Sequence, residues 1–249
     1  MIEEAFINGD SIIHRLDPRV KTIIAFLFSI VVATSDRFVA LIPAIFLSVS
    51  FICIARLPLK KVCLRLLLVN GLILFLWVFL PFTYQGRPLF GIGPLVATRE
   101  GIFHSTLITI KSNAIILALM SLVATMSIFS LGRAMRNLYV PARIVYLFFF
   151  TYRYIHVIHM EYLRLMKAIK IRGFRPSTNM HTYRTYAYLV GMLLVKSHDR
   201  AERVQSAMLC RGFKGKFYEL SEFSFKFSDL IIMLLMLLAI TIIVLLQWC

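Results

Sequence analysis

The run IIMLLMLLAITIIVLLQW within Leu230–Trp248 carries no charged side chain. It is long enough to cross about 30 Å of hydrocarbon as one helix, which takes about 20 residues. Four further apolar runs precede it: Val20–Thr34, Phe38–Ala55, Leu64–Phe82 and Ile102–Ser130, the last containing Asn113 among several Ser and Thr. Val140–Ile158 is apolar too, but Pro141, Arg143, Arg153 and His156 interrupt it, and the sequence leaves open whether it crosses. Of 249 residues, 59% are hydrophobic and only 16% charged, too few to clothe a soluble domain of this length. An ordinary soluble enzyme, a disordered chain and a disulfide-built secreted scaffold are therefore excluded. The expected fold is all-α: a polytopic membrane protein with about five transmembrane helices, six if Val140–Ile158 spans.

Such a greasy chain nevertheless has a formal net charge of +16, from 28 Lys and Arg against 12 Asp and Glu. The charge is concentrated. Between Arg133 and Lys216 sixteen Lys and Arg face only Glu161, Asp199 and Glu202, which leaves +13 of the total in this segment. Arg15, Arg19 and Lys21 precede the first run, and Arg56, Lys60, Lys61 and Arg65 fill the second connection, whereas the intervening loops are poor in cations. By the excess of Lys and Arg in cytoplasmic loops, the N-terminus lies inside and the C-terminus outside a cell membrane crossed several times. Arg19 and Lys21 are expected to reach toward lipid headgroups from the short first run. The organisation expected is a membrane region of four spans over 1–130, a cytoplasmic module of amphipathic helices over 131–228 with 140–158 open to either placement, and a last span over 229–249. Glu3, Glu4 and Asp10 argue against a secretory leader at the N-terminus.

The basic segment is patterned. In Tyr162–Ile171 the apolar residues Leu163, Met166 and Ile169 recur at helical steps, and Val204, Ala207 and Met208 do so in Ala201–Cys210. Each stretch ends on Arg-Gly-Phe and a base. Ala168-Ile-Lys-Ile171-Arg172-Gly173-Phe174-Arg175 and Ala207-Met-Leu-Cys210-Arg211-Gly212-Phe213-Lys214 align, 39 residues apart. Glycine closes a helix in the left-handed conformation, and Arg in the last turn suits the negative end of the helix dipole. The guanidinium is then held at a fixed point, able to make a two-pronged bond to a carboxylate. One such end reads as a capped helix whose Arg satisfies free carbonyls; two matching ends suggest a grip on two similar partners or one symmetric dimer.

With these ends in view, the chain resembles the transmembrane T component of energy-coupling factor (ECF) transporters, of the cobalt/nickel type called CbiQ. The matching pieces are His14-Arg-Leu-Asp-Pro-Arg-Val-Lys21, Leu138-Tyr-Val-Pro-Ala142, Thr151-Tyr-Arg-Tyr154, the first Arg-Gly end, and Asp199-Arg-Ala-Glu-Arg203 followed by Met208-Leu-Cys-Arg-Gly-Phe213. In that family an Ala-Arg-Gly motif ends each of two coupling helices and docks in a groove of an ABC-type ATPase subunit, the Arg meeting an acidic residue. The resemblance implies that Ile171, Arg172 and Gly173 dock one ATPase and Cys210, Arg211 and Gly212 the other, with Ala168, Phe174, Ala207 and Phe213 flanking them. Ile171 and Cys210 replace the family's Ala; Cys is small enough to fit, whereas Ile171 is bulkier. The implied role is energy transmission from two ATPase subunits to a separate substrate-binding membrane subunit, here for cobalt or nickel uptake. A T component serving vitamin-binding subunits is the alternative, and a self-sufficient carrier a further one.

No catalytic, cofactor-binding or metal-ligating residues are expected in this chain. It has no GxxxxGK[ST] loop, so ATP would be bound by the partner subunits. His156 and His159 share a helix face, but no third ligand is evident and Arg153 lies one turn away. Cys53, Cys63, Cys210 and Cys249 have no ligand spacing. Asp17-Pro18 reads as a cap and first turn for the first span, although Asp17 could equally pair with a basic-module Arg. Pro88 with Gly86, Gly91 and Gly93 marks an outer loop. The bilayer is expected as a partner through the spans, and nucleic acid is not, because the basic segment is tethered between them.

Overall fold

The computed structural model describes residues 9, 11–84, 87–92, 95–215 and 227–248. Glu3, Glu4, Asp10, Gly86, Gly93, Lys216 and Cys249, which entered the sequence reading, lie outside these residues. The chain is built of helices α1 (Ile12–Arg15), α2 (Pro18–Thr34), α3 (Phe38–Ala55) and α4 (Leu59–Thr83), strands β1 (Pro88–Ile92) and β2 (Leu95–Thr98), then α5 (Arg99–Leu122), α6 (Ile128–Asn137), α7 (Ala142–Ile171), α8 (Met180–Cys210) and α9 (Phe227–Trp248). These divide into two compact units, one holding α7 and α8 and the other the remaining elements.

In the larger unit, α2 begins where Asp17 accepts from the Arg19 amide at 2.8 Å and Pro18 takes the first helical position, as the sequence reading expects. Val20, Ile24, Phe28 and Val32 repeat every fourth residue and are buried. They join Leu41, Phe51, Leu107, Leu117, Ile240 and Ile243 in the core, with Phe28 edge-on to Phe51 at 6.4 Å. α3 and α5 pack together, and each buries small residues at four-residue spacing, Ala40, Ala44 and Ser48 on α3 and Ala114 and Ala118 on α5, beside larger ones such as Leu41, Phe51, Leu107 and Leu117. Small residues at four-residue spacing let backbones approach and gain dispersion contacts that lipid cannot outcompete. Lys21 departs from expectation. Rather than reaching for headgroups it is buried, with Nζ donating to the His14 carbonyl at 3.3 Å.

Among the described residues four helices are long and apolar enough to span a bilayer: Phe38–Ala55, Leu59–Thr83, Arg99–Leu122 and Asp229–Trp248. α2, the fifth expected span, is present as a helix of 17 residues, about 25 Å long at the helical rise. The chain is thus an all-α, multi-pass membrane protein, with one small addition. The segment between the third and fourth spans forms an antiparallel hairpin in which Gly91 pairs with Val96 and Ile92 with Leu95. The long apolar run Ile102–Ser130 is not one helix: α5 stops at Leu122, and the Ser127 hydroxyl accepts from the Ser130 amide at 3.1 Å to start α6. A side-chain cap here outweighs the continuity of hydrophobicity. Residue 130, expected to end the membrane region, therefore falls inside α6.

Of the run Val140–Ile158, residues 142–158 form the first half of α7, a continuous helix of 30 residues; α8 has 31. Pro141 is the N-cap, just ahead of the helix, where its missing N–H costs no ladder bond, and Arg153 and His156 do not interrupt the backbone ladder.

Candidate functional site

Both Arg-Gly ends fold as the sequence predicts, and they share three closing bonds, with one more at the second end, where the Arg211 amide also donates to Met208 O at 3.1 Å. At the end of α7 the Arg172 amide donates to Ala168 O at 3.3 Å, Gly173 to Lys170 O at 3.0 Å and Phe174 to Ile169 O at 3.2 Å. At the end of α8 the Arg211 amide donates to Ala207 O at 3.3 Å, Gly212 to Leu209 O at 2.9 Å and Phe213 to Met208 O at 3.0 Å. This is the Schellman closure, in which the second residue after the cap reaches back five positions and the glycine three. It requires a left-handed residue, and Gly173 and Gly212 have φ of +85° and +78°. An added Cβ would meet nothing within 4 Å at either, so glycine is needed for its backbone and not for space.

Exposure repeats as well. Ala168, Ile171, Arg172 and Gly173 are exposed with Phe174 half-buried; Ala207, Cys210, Arg211 and Gly212 are exposed with Phe213 half-buried. Ile171 presents 86% of its surface. Among the described residues no other side chain engages either guanidinium. An exposed apolar side chain beside a hydrated guanidinium at a rigid helix end is a surface that suits a partner offering an apolar wall and a carboxylate. The ring of Phe174 packs against Tyr186 at 5.8 Å and His181 at 6.4 Å, pinning the first end to the start of α8. There Asn179 caps the helix by accepting from the Thr182 amide at 3.0 Å.

Between α7 and α8 sits a group that the charge count treats only as an opposing acid. Glu161 is buried; it binds Lys196 of α8 through Oε1 and accepts from Arg164 through Oε2 at 2.9 Å. The Lys196 hydrogen bond holds the Glu161 carboxyl below the ordinary glutamate range, and the charges of Lys196, Arg164 and Arg200 act in the same direction. An open groove of about 520 Å³ runs beside this pair, with Phe150, Tyr154 and Ile158 on α7 and Leu193, Arg200 and Arg203 on α8. Glu161 being one of only three acids in a strongly basic segment was the available signal. Lys111 was another. It lies inside α5 and binds Asp36 at 2.9 Å and the Ala33 carbonyl at 3.2 Å, a charge concealed within the apolar run.

Among the described residues no three His, Cys, Asp or Glu side chains lie together as metal ligands. His159 stacks on Tyr162 at 6.5 Å. In the aromatic cluster, Phe150 stacks on Tyr154 at 6.3 Å and Arg153 lies 5.8 Å from the Tyr154 ring centre.

Residues 9–221 match the sequence profile of a family described as cobalt transport protein, CbiQ. The chain is also similar to proteins named energy-coupling factor transporter transmembrane protein EcfT. That of Thermosediminibacter oceani is 30% identical over 84% of this chain and 83% of its own length. That of Leuconostoc gelidum subsp. gasicomitatum is 29% identical, over 84% and 82% respectively. For the Bacillus subtilis protein the identity is 24%, over 86% and 85%.

Proposed function

This chain belongs to the CbiQ family of cobalt transport proteins, and on that premise we propose that it is the energy-coupling membrane subunit of an ATP-driven importer, transmitting movement from two ATPase subunits to a substrate-binding membrane subunit. One observation carries the reading: two helix ends, 39 residues apart, share one hydrogen-bond closure, one left-handed glycine and one pattern of exposure. Two equivalent, rigid, cationic ends suit a pair of equivalent acidic grooves.

Arg172 and Arg211 each meet a carboxylate on one ATPase subunit, with Ile171 and Cys210 against the groove wall. ATP binding draws the ATPase subunits together, and the two ends travel with them because the caps leave no loose turn to absorb the motion. α7 and α8 act as levers on the substrate-binding subunit. The energetic requirement is that the ends bind the open and closed ATPase states differently; equal affinity would shift nothing. ATP is bound by the partners. The excess of Lys and Arg in this segment supports a cytoplasmic side for α7 and α8, with the N-terminus inside and the C-terminus outside.

Cobalt or nickel is the cargo, chosen by the substrate-binding subunit, and the family description supports a metal. Vitamin cargo is the competing outcome of the same reconstitution. The test is the paired substitution Arg172→Glu with Arg211→Glu. Uptake is lost while the subunit remains inserted in the membrane. Normal uptake by the inserted double variant would overturn the reading.

A further inference from the structure

The lever reading leaves open how two helices hold an angle and still change it. α7 has 30 residues, of which Val145 and Glu161 are buried, and α8 has 31, of which Thr182 and Leu189 are buried. The two helices are therefore not zipped by a continuous apolar seam. An interdigitated seam fixes a crossing angle, because rotating one helix drives ridges into ridges. Midway along the two helices the link is a carboxylate on a short stem meeting an ammonium on a long one, and an open groove of about 520 Å³ runs beside it. Such a contact keeps its strength over a range of angles, since it depends on distance between charges and not on interlocking shape.

Resting on the lever reading above, we propose that Glu161 is a positioning residue, the charged pin of a swivel between α7 and α8 that makes the two Arg-Gly ends move as one. Lys196 supplies the bond across the helices and Arg164 clamps the carboxylate from its own helix. Arg200, one turn beyond Lys196 and lining the same groove, keeps the carboxylate in positive surroundings as the angle changes. The arms are unequal. Arg172 lies about 16 Å along α7 from the pin, and Arg211 about 22 Å along α8 from Lys196, at 1.5 Å per residue. Without the pin the helices keep the contact of Phe174 with Tyr186 and His181 near the connection between them, each ATPase subunit moves its own helix about that point, and hydrolysis continues with little transport.

The experiment uses the full complex reconstituted in liposomes, with uptake and ATP hydrolysis measured on the same vesicles. Glu161→Gln, which keeps the side-chain shape, and Lys196→Met each lower uptake per ATP hydrolysed by at least about fivefold, the low end of typical coupling energies. The complex retains its ATPase subunits. The double variant is no worse than either single one, because both remove the same link. Lys196→Arg, which keeps the charge, stays close to the unaltered protein. An unchanged ratio in both single variants, multiplicative losses in the double one, or a Lys196→Arg as poor as Lys196→Met would each overturn the proposal. If instead the unaltered complex contains no ATPase subunits, or Arg172→Glu with Arg211→Glu leaves uptake intact, the lever reading itself fails.

Discussion

Gly173 and Gly212 define what a single residue contributes here. The space around each would admit a methyl group, yet both backbones sit at positive φ. Alanine there costs about 1 kcal/mol of backbone strain. Gly173→Ala and Gly212→Ala are each expected to fray the last helical turn, visible as faster amide exchange at Phe174 and Phe213, and to weaken ATPase retention about fivefold. Gly71 and Gly191, inside α4 and α8 with no atom within 4 Å of an added Cβ, show the opposite case. Alanine at either is expected to stabilise by about 0.5–1 kcal/mol through reduced freedom of the unfolded chain. Equal responses at all four positions, measured by exchange and thermal midpoint, would contradict the backbone explanation.

At the scale of elements, α4 illustrates how a helix with little buried surface is held. Val62, Ile73 and Pro81 are its buried residues. Its attachment to α5 rests on Asn70 and Asn113, whose amides bond reciprocally at 3.0 Å in both directions, and on the Trp77 indole donating to Thr109 at 2.9 Å. In an apolar surround such pairs are worth about 0.6–2 kcal/mol. Asn113→Ala is expected to cost that much in the membrane-inserted protein, and adding Asn70→Ala to cost little more. Additive losses in an unfolding titration would show that the amides act separately.

The Asp36–Lys111 pair has a pH signature at the same scale. The hydrogen bond from Lys111, with its charge, holds the Asp36 carboxyl below its ordinary value. A depressed carboxylate contributes fully above its unfolded pKa, near 3.9, and loses that contribution as pH falls through the lower folded value. Between about pH 5 and 8 this pair gives no slope to the thermal midpoint. Asp36→Asn should lower the midpoint throughout that range and remove the pair's share of the acid-side decline.

For the whole molecule the decisive prediction concerns company. Isolated from native membranes in detergent, the chain is expected to bring two ATP-hydrolysing subunits and a small membrane subunit with it, and the complex in liposomes to take up cobalt or nickel on ATP addition. Uptake of a vitamin would keep the coupling role and replace the cargo. Solute movement by this chain alone would replace both.

What the sequence determined by itself was set by local chemistry. An uncharged run such as Leu230–Trp248 can be stable only as a lipid-embedded helix, because every backbone group must bond within the segment. Arg172-Gly173-Phe174 and its copy at Arg211 close their helices through bonds spanning a few residues, so the geometry of both ends follows from the letters. Three features were decided by tertiary structure. Lys21 turns inward because the His14 carbonyl lies beside it. Lys111 can sit inside α5 because a loop 75 residues earlier in the chain brings Asp36 to it. Glu161 becomes a joint only once Lys196, 35 residues away, crosses over it. Charge composition reports how many cations surround an acid; which one binds it depends on how the helices cross, and no local pattern encodes that.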